Sequence, residues 1–209
     1  MQSSIDVLPG KNEEYGTQEY WDTRYTQESE GSSFDWFKTY AEIAPFLREY
    51  LPDKSARILM LGCGNSKMSE EMWDDGYKNI TNVDYSSVII EKMRRQHEEV
   101  RPEMQWLQMD VRKLDFEDGS FDVAIDKGTM DAMMTQKGDI WNPPDDVVEN
   151  CKREVDEVLR VLRRDTGVFL YLTFGQPHFR KRHLTRPGTE LQVKELGESF
   201  HYYLYTVRT

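Results

Sequence analysis

The stretch LMLGCGNSKMSEEM, Leu59 to Met72, limits the possible folds more than any other part of the chain. An apolar run with strand character reaches Gly62-Cys63-Gly64, and a helical pattern follows from about Ser66 to Asp75, stopped by Gly76. Such a strand, turn and helix opens a nucleotide-binding α/β sheet, because glycine lets the backbone turn tightly and approach a ligand. The fingerprint is half complete. Lys67 stands where a dinucleotide loop has its third glycine, and no Gly-Lys-Ser/Thr follows.

The same alternation continues along the chain. Strands are expected at NITNVDY, MQWLQMDV, FDVAID and GVFLYLTF. Between them, Ile89, Ile90, Met93 and His97 share one helical side, and Val148, Cys151, Val155, Val158 and Leu162 step by three and four. At the end, LQVKEL and FHYYLYTVR are separated only by GES, a connection short enough for nothing but an antiparallel hairpin. The predicted fold is α/β: a Rossmann-like seven-stranded sheet, mostly parallel, with an antiparallel C-terminal strand and helices on both faces. Residues 1–17 read as a flexible leader and 18–209 as a single domain. Two helices are expected within 18–51, the second carrying Trp36, Tyr40, Ile43, Leu47 and Leu51 on one face.

Charge narrows the partners. The net charge of −11 opposes nucleic acid and anionic membrane and favours a neutral or basic partner. Cys63 and Cys151 have no metal spacing and suit a reducing compartment, with Cys63 read as a packed residue. There is no long apolar segment and no signal-like start, which reads as a soluble intracellular protein, cytosolic or nuclear, and is taken as cytoplasmic; a monomer is expected, with no membrane and no metal. HFRKRHLTR, His178 to Arg186, is a basic island, either a solvated helix face or a dock for an acidic patch or RNA.

In an open α/β sheet, ligands sit beyond the carboxyl ends of the strands. Gly62 and Gly64 end the first, and Asp84, twenty residues on, ends the second, where an acid accepts ribose hydroxyls. Asp110-Val111 ends the third at the height of an adenine. Taken singly, Asp84 also reads as a helix N-terminal acid and Asp110 as a turn residue. Together they suit an adenosine without pyrophosphate, and S-adenosyl-L-methionine, with a sulfonium in place of phosphates, fits the half-fingerprint.

ARILMLGCGNSKMSEEM, VDYSSVII, MDVRKLDFEDGSFDVAIDKGTMDAMM and the upstream EYWDTRY…FDWF resemble the seven-strand S-adenosylmethionine-dependent methyltransferases. The resemblance is nearest to the branch of lysine methyltransferases acting on translation elongation factor 1A, and it spans roughly residues 19–174. It implies that Trp21, Tyr25 and Trp36 close over the donor, that Gly62 and Gly64 form the loop, and that Asp84-Tyr85 hold the ribose. Asp110-Val111 would frame the adenine and Lys127 would contact the ligand. The product would be S-adenosyl-L-homocysteine. The aromatic residues agree with the charge of a sulfonium, since ring faces attract cations.

The implied reaction is in-line attack of a lysine amine on the sulfonium methyl. Neutralising a lysine at pH 7 costs about 4.6 kcal/mol, which confinement beside a like charge reduces, so no dedicated base is compulsory. Asp126 and Asp131 flank the expected acceptor position, where they would steer an ammonium inward; Asp131 reads equally as a residue capping or solvating a short helix. WNPPDD is read as a helix start, because the Asn-Pro-Pro motif of other N-methyltransferases belongs directly after strand four, where this chain has DKGT. Two alternatives stay open: a small-molecule methyltransferase, and a donor-binding protein without turnover.

Overall fold

The computed structural model describes residues 8–139, 141–197 and 200–209. In chain order they form α1 (Gln18–Gln27), α2 (Tyr40–Tyr50), β1 (Ile58–Leu61), α3 (Met68–Asp74), β2 (Ile80–Asp84), α4 (Ser87–His97) and β3 (Gln105–Gln108). There follow β4 (Val123–Lys127), α5 (Thr129–Met133), α6 (Asp145–Val161), β5 (Val168–Thr173), α7 (Pro177–Leu184), β6 (Glu190–Leu196) and β7 (Tyr202–Arg208). The seven strands make one sheet in the order β3-β2-β1-β4-β5-β7-β6. The five strands β3 to β5 in that order pair in parallel, while β7 lies antiparallel to both β5 and β6.

Alternate residues of the central strands serve two cores. Ile58 and Met60 of β1, with Val168, Leu170 and Leu172 of β5, join α2, α3 and α4 on one face. Leu59 and Leu61, with Phe169 and Tyr171, meet α6 on the other. A sheet covered on both faces needs apolar residues of both parities, which is why these strands read as continuous apolar runs. The order reverses at β1, whose neighbours are β2 and β4, and this places the ends of β1, β2 and β4 around one crevice.

Three local expectations are corrected. The second helix begins at Tyr40, so Trp36 lies in the preceding loop. Phe37 adopts φ 65°, which a continuing right-handed helix forbids, and Glu42 accepts hydrogen bonds from Thr39 N at 2.8 Å and Thr39 Oγ1 at 2.9 Å, fixing the start. On α6, Val148 is 40% exposed and Val147 turns inward instead. Of the expected flexible leader, residues 1–7 lie outside the described residues, while Asn12–Gly16 form a 3-10 helix whose Tyr15 packs on Tyr20, Trp21 and Trp36.

Glu42→Ala removes this start signal together with the pair to Lys38. It is expected to lower unfolding stability by about 1 kcal/mol in denaturant titration, with no change in donor affinity.

Candidate functional site

The turn after β1 is built around two close approaches. Gly62 and Gly64 have φ of +57° and +50°, and a Cβ on Gly62 would lie 2.0 Å from Thr129 Oγ1. On Gly64 it would lie 2.9 Å from the Tyr25 hydroxyl. Thr129 is held in turn: its hydroxyl donates to the Leu61 carbonyl at 2.9 Å and its N–H to Asp126 at 2.7 Å. Asp126 also accepts from Met130 N at 2.9 Å, so it caps the start of α5 from the buried end of β4. Burial raises both Asp126 and the neighbouring Glu154 above the usual carboxylate range, with the Asp126 charge adding to the effect on Glu154.

Asp84 is 5% exposed. One carboxylate oxygen accepts from Gly64 N at 3.0 Å and the other from Ser86 N at 2.9 Å. Burial lifts its pKa to about 6 against the lowering effect of those two bonds. Beside it, the Tyr85 carbonyl accepts from Gln18 at 3.0 Å and from Gln108 at 3.1 Å, joining α1 and β3 to the site. Asp110 is gripped by Arg112, with contacts from 2.6 to 3.1 Å, and Arg112 reaches on to Asn150 at 2.9 Å. Burial opposes ionisation of Asp110, but the Arg112 bonds outweigh it and hold the group below the usual carboxylate range.

Aromatic residues form the cover. The Trp21 indole N–H donates to the Tyr15 carbonyl at 2.7 Å, and its ring stacks on Tyr25 at 5.6 Å. Trp36 meets Tyr15 at 5.6 Å and Phe34 at 4.9 Å, edge to face. Arg24, buried, sits 5.2 to 5.8 Å from the rings of Trp21, Phe34 and Trp36. Its Nε donates to Glu28 at 2.8 Å, and the other Glu28 oxygen accepts from Asn65 at 2.8 Å. The residue after Gly64 is thereby tied to the cover.

These elements enclose a cavity of about 310 Å³, within the range of small-molecule sites. Every residue predicted for the site lines it: Trp21, Tyr25 and Trp36 from the cover, Gly62 and Gly64 from the turn, and Asp84, Tyr85, Asp110, Val111 and Lys127 from the strand ends. Lys127 does so in an unforeseen way, since its ammonium is engaged by Asp35 at 2.8 Å and by the Trp36 carbonyl at 3.1 Å. The expected steering carboxylates are corrected. Asp126 is not part of the wall, and Asp131, which is, already accepts from Tyr171, Thr173 and Arg180 at 2.6 to 2.8 Å.

Tyr15, Phe34, Phe37, Thr129 and Phe174 also line the cavity and were not foreseen. Thr129 sits in the DKGT string and Phe34 and Phe37 in the FDWF string, both quoted above, and could have been named from them; Tyr15 and Phe174 lie in the leader and just past β5, where periodicity is silent. Within the basic island, Arg180 and His183 are buried and Arg186 pairs with Asp156, so much of it is structural. Pro144 immediately precedes α6, as a helix opener should. No cluster able to hold a metal is present among the described residues, and no helix among them is long and apolar enough to cross a membrane.

A glycine turn, a buried acid at the neighbouring strand end and an aromatic cover define the class: a Rossmann-like α/β protein with its ligand cavity where the strand order reverses. The methyltransferase domain family matches residues 58–164. EEF1A lysine methyltransferase 4 of Mus musculus is 39% identical over 200 residues, covering 95% of this chain and 77% of that one. The eEF1A lysine and N-terminal methyltransferase of Homo sapiens is 33% identical across 93% of this chain and 27% of its own. In fold, the chain is similar to the 1,6-didemethyltoxoflavin-N1-methyltransferase of Burkholderia thailandensis, solved with bound S-adenosylhomocysteine, at TM-score 0.62 and 16% identity over 99% of this chain and 93% of that one. The chain therefore belongs to the methyltransferase domain family and is an S-adenosylmethionine-dependent enzyme of the seven-strand class.

Gly62→Ala is expected to destabilise the fold by about 1–3 kcal/mol from the left-handed backbone alone, with more from the contact to Thr129. Thr129→Ala as a second change should recover part of the loss in thermal denaturation; no recovery would exclude that contact as the source.

Proposed function

We propose that this protein transfers a methyl group from S-adenosylmethionine to a lysine side chain of translation elongation factor 1A. The carrying observation is that relatives named for lysine methylation of that factor align over nearly the whole chain, cover included. The residues present suit the donor: the glycine turn has no room for side chains, the acid is buried with both oxygens aimed by backbone amides, and the cover is aromatic.

When bound, the donor supplies an electrophilic methyl on a sulfonium. The protein contributes orientation and exclusion of water. In this proposal Asp84 accepts the ribose hydroxyls, with Tyr85 beside it, and Asp110-Val111 flank the adenine. Gly62 and Gly64 let the main chain approach, and the rings of Trp21, Tyr25 and Trp36 attract the cation. Lys127 acts through Asp35, as a positioning residue, rather than on the ligand. The acceptor enters beside α5, Phe37 and Phe174. A lysine confined there against a like charge loses its proton more readily than in water, so the wall needs no base.

The rim favours a macromolecular acceptor over a small one. Phe174 is 49% exposed and Phe200 is 62% exposed. Ring contacts of 5.5, 5.9 and 5.1 Å run from Phe174 through Phe37 and Tyr202 to Phe200, extending an apolar row beyond the cavity. The net charge of −11 suits a basic partner. We place this activity in the cytoplasm, in a monomer that does not bind nucleic acid directly.

Incubation with labelled donor and recombinant elongation factor 1A should yield methyl-lysine by mass spectrometry. Label appearing only in small-molecule extracts would support a metabolite methyltransferase instead. Phe200→Ser should raise KM for the protein acceptor severalfold and leave S-adenosylhomocysteine affinity unchanged.

Asp84 predicts a pH dependence. Hydroxyl donors favour its ionised form, so donor affinity should be full above about 7 and fall, by up to tenfold per pH unit, below its pKa of about 6. Its effect on stability has the opposite sign. A carboxylate raised by folding favours the native state while protonated, and this contribution is lost as pH rises through about 6. Calorimetry of S-adenosylhomocysteine binding from pH 5 to 8 tests the first statement, and a flat profile would contradict it.

A further inference from the structure

Lysine and hydroxyl groups beside a glycine turn are the usual equipment for holding phosphate. This cavity has both, in Lys127 and Ser66. Neither is available to a ligand's phosphate, because each is bound to Asp35. The Ser66 hydroxyl donates to Asp35, and the Lys127 ammonium lies 2.8 Å from the same oxygen. The pair is well removed from water, with 6% of the Lys127 side chain exposed and 13% of that of Asp35. Asp35 is not itself part of the cavity wall. It stands behind the wall and draws the two donors toward itself.

Of the other charges in the wall, Asp110, Arg112 and Asp131 are paired in the same manner, while Asp22 and Glu71 behind it add negative charge near Asp84 and Lys127. Arg112 is paired with Asp110 at 2.6 Å, and Asp131 with Arg180 at 2.8 Å. Among the described residues, no cation pairs with Asp84, so the wall is left with one surplus negative charge. Without Asp35, the Lys127 ammonium would cancel it. The electrostatic character of the pocket therefore depends on a residue that does not touch the ligand.

We propose that Asp35 is the specificity-determining residue of the donor site: by neutralising Lys127 and engaging Ser66 behind the glycine turn, it makes the pocket accept a cationic nucleoside and reject a phosphorylated one. The proposal rests on the methyl-donor reading of the cavity and adds what sets its charge preference. Burial opposes ionisation of Asp35, but the bonds from Lys127 and Ser66 prevail and keep it below the usual carboxylate range, consistent with a permanent countercharge.

Asp35→Asn keeps the shape and an acceptor oxygen while removing the charge. The test is calorimetry at fixed ionic strength with three probes: S-adenosylmethionine, S-adenosylhomocysteine, which lacks the sulfonium charge, and ADP. The variant should lower the ratio of S-adenosylmethionine to S-adenosylhomocysteine affinity at least fivefold and acquire ADP binding that the wild type lacks. Adding Lys127→Met should restore the ratio and abolish ADP binding, because the uncompensated cation is then gone. Equal weakening toward both adenosyl compounds, with no ADP binding, would mean that Asp35 merely latches the loop to the turn, and would overturn the proposal alone. Failure of the wild type to bind either adenosyl compound would overturn the donor reading itself.

Discussion

Asp84, a buried carboxylate that no cation among the described residues pairs with, is the constraint around which this structure is arranged. Removing Asp84 from water costs free energy, and two backbone amides offset only part of it, which is why its pKa stands near 6. One of those amides belongs to Gly64, so the acid and the glycine turn hold each other in place. The turn then depends on Thr129, against which Gly62 packs, and Thr129 on Asp126 at the end of β4. The ends of β2, β1 and β4 are thus linked through the side chains of Asp84, Thr129 and Asp126. Hydroxyl donors from a ribose would complete the solvation that the fold withholds from Asp84.

Much of the fold was legible because the central strands obey simple rules. β1, β4 and β5 are covered on both faces and so present uninterrupted apolar runs, and the short GES connection allows only a hairpin. Helical periodicity misled at helix starts, where local bonds override it. Trp36 extends the spacing of Tyr40 and Ile43 backward, yet Phe37 takes a left-handed conformation and Glu42 binds the Thr39 backbone. Val148 failed for a related reason, since Val147 and Cys151 are the four-residue step that faces the sheet.

The site divides along the same line. Residues at strand ends, Gly62, Gly64, Asp84, Asp110 and Val111, can be placed from the strands that carry them. Charge partners across the fold cannot. Lys127 meets Asp35 from 92 residues away and Asp131 meets Arg180 from 49 away, so one residue that looked like a ligand contact and one that looked like a steering acid are both already engaged. The basic island was misleading in the same sense, because its Arg180 is the buried countercharge to Asp131.

The role of Asn65 and Ser66 follows from these pairings. Asn65 donates to Glu28, whose other oxygen holds Arg24 among the cover's rings, and Ser66 donates to Asp35, next to Trp36. Phe34 N also donates to the Asn65 carbonyl at 3.3 Å. Both residues that follow the glycine pair are therefore spent on the N-terminal cover instead of on a third close approach to a ligand. A dinucleotide loop has a third glycine at the position of Lys67, where it lets the helix pack closely on the strand. Here the residues after the glycine pair bond instead to Glu28, Asp35 and the Phe34 backbone, so the turn is fastened to the cover.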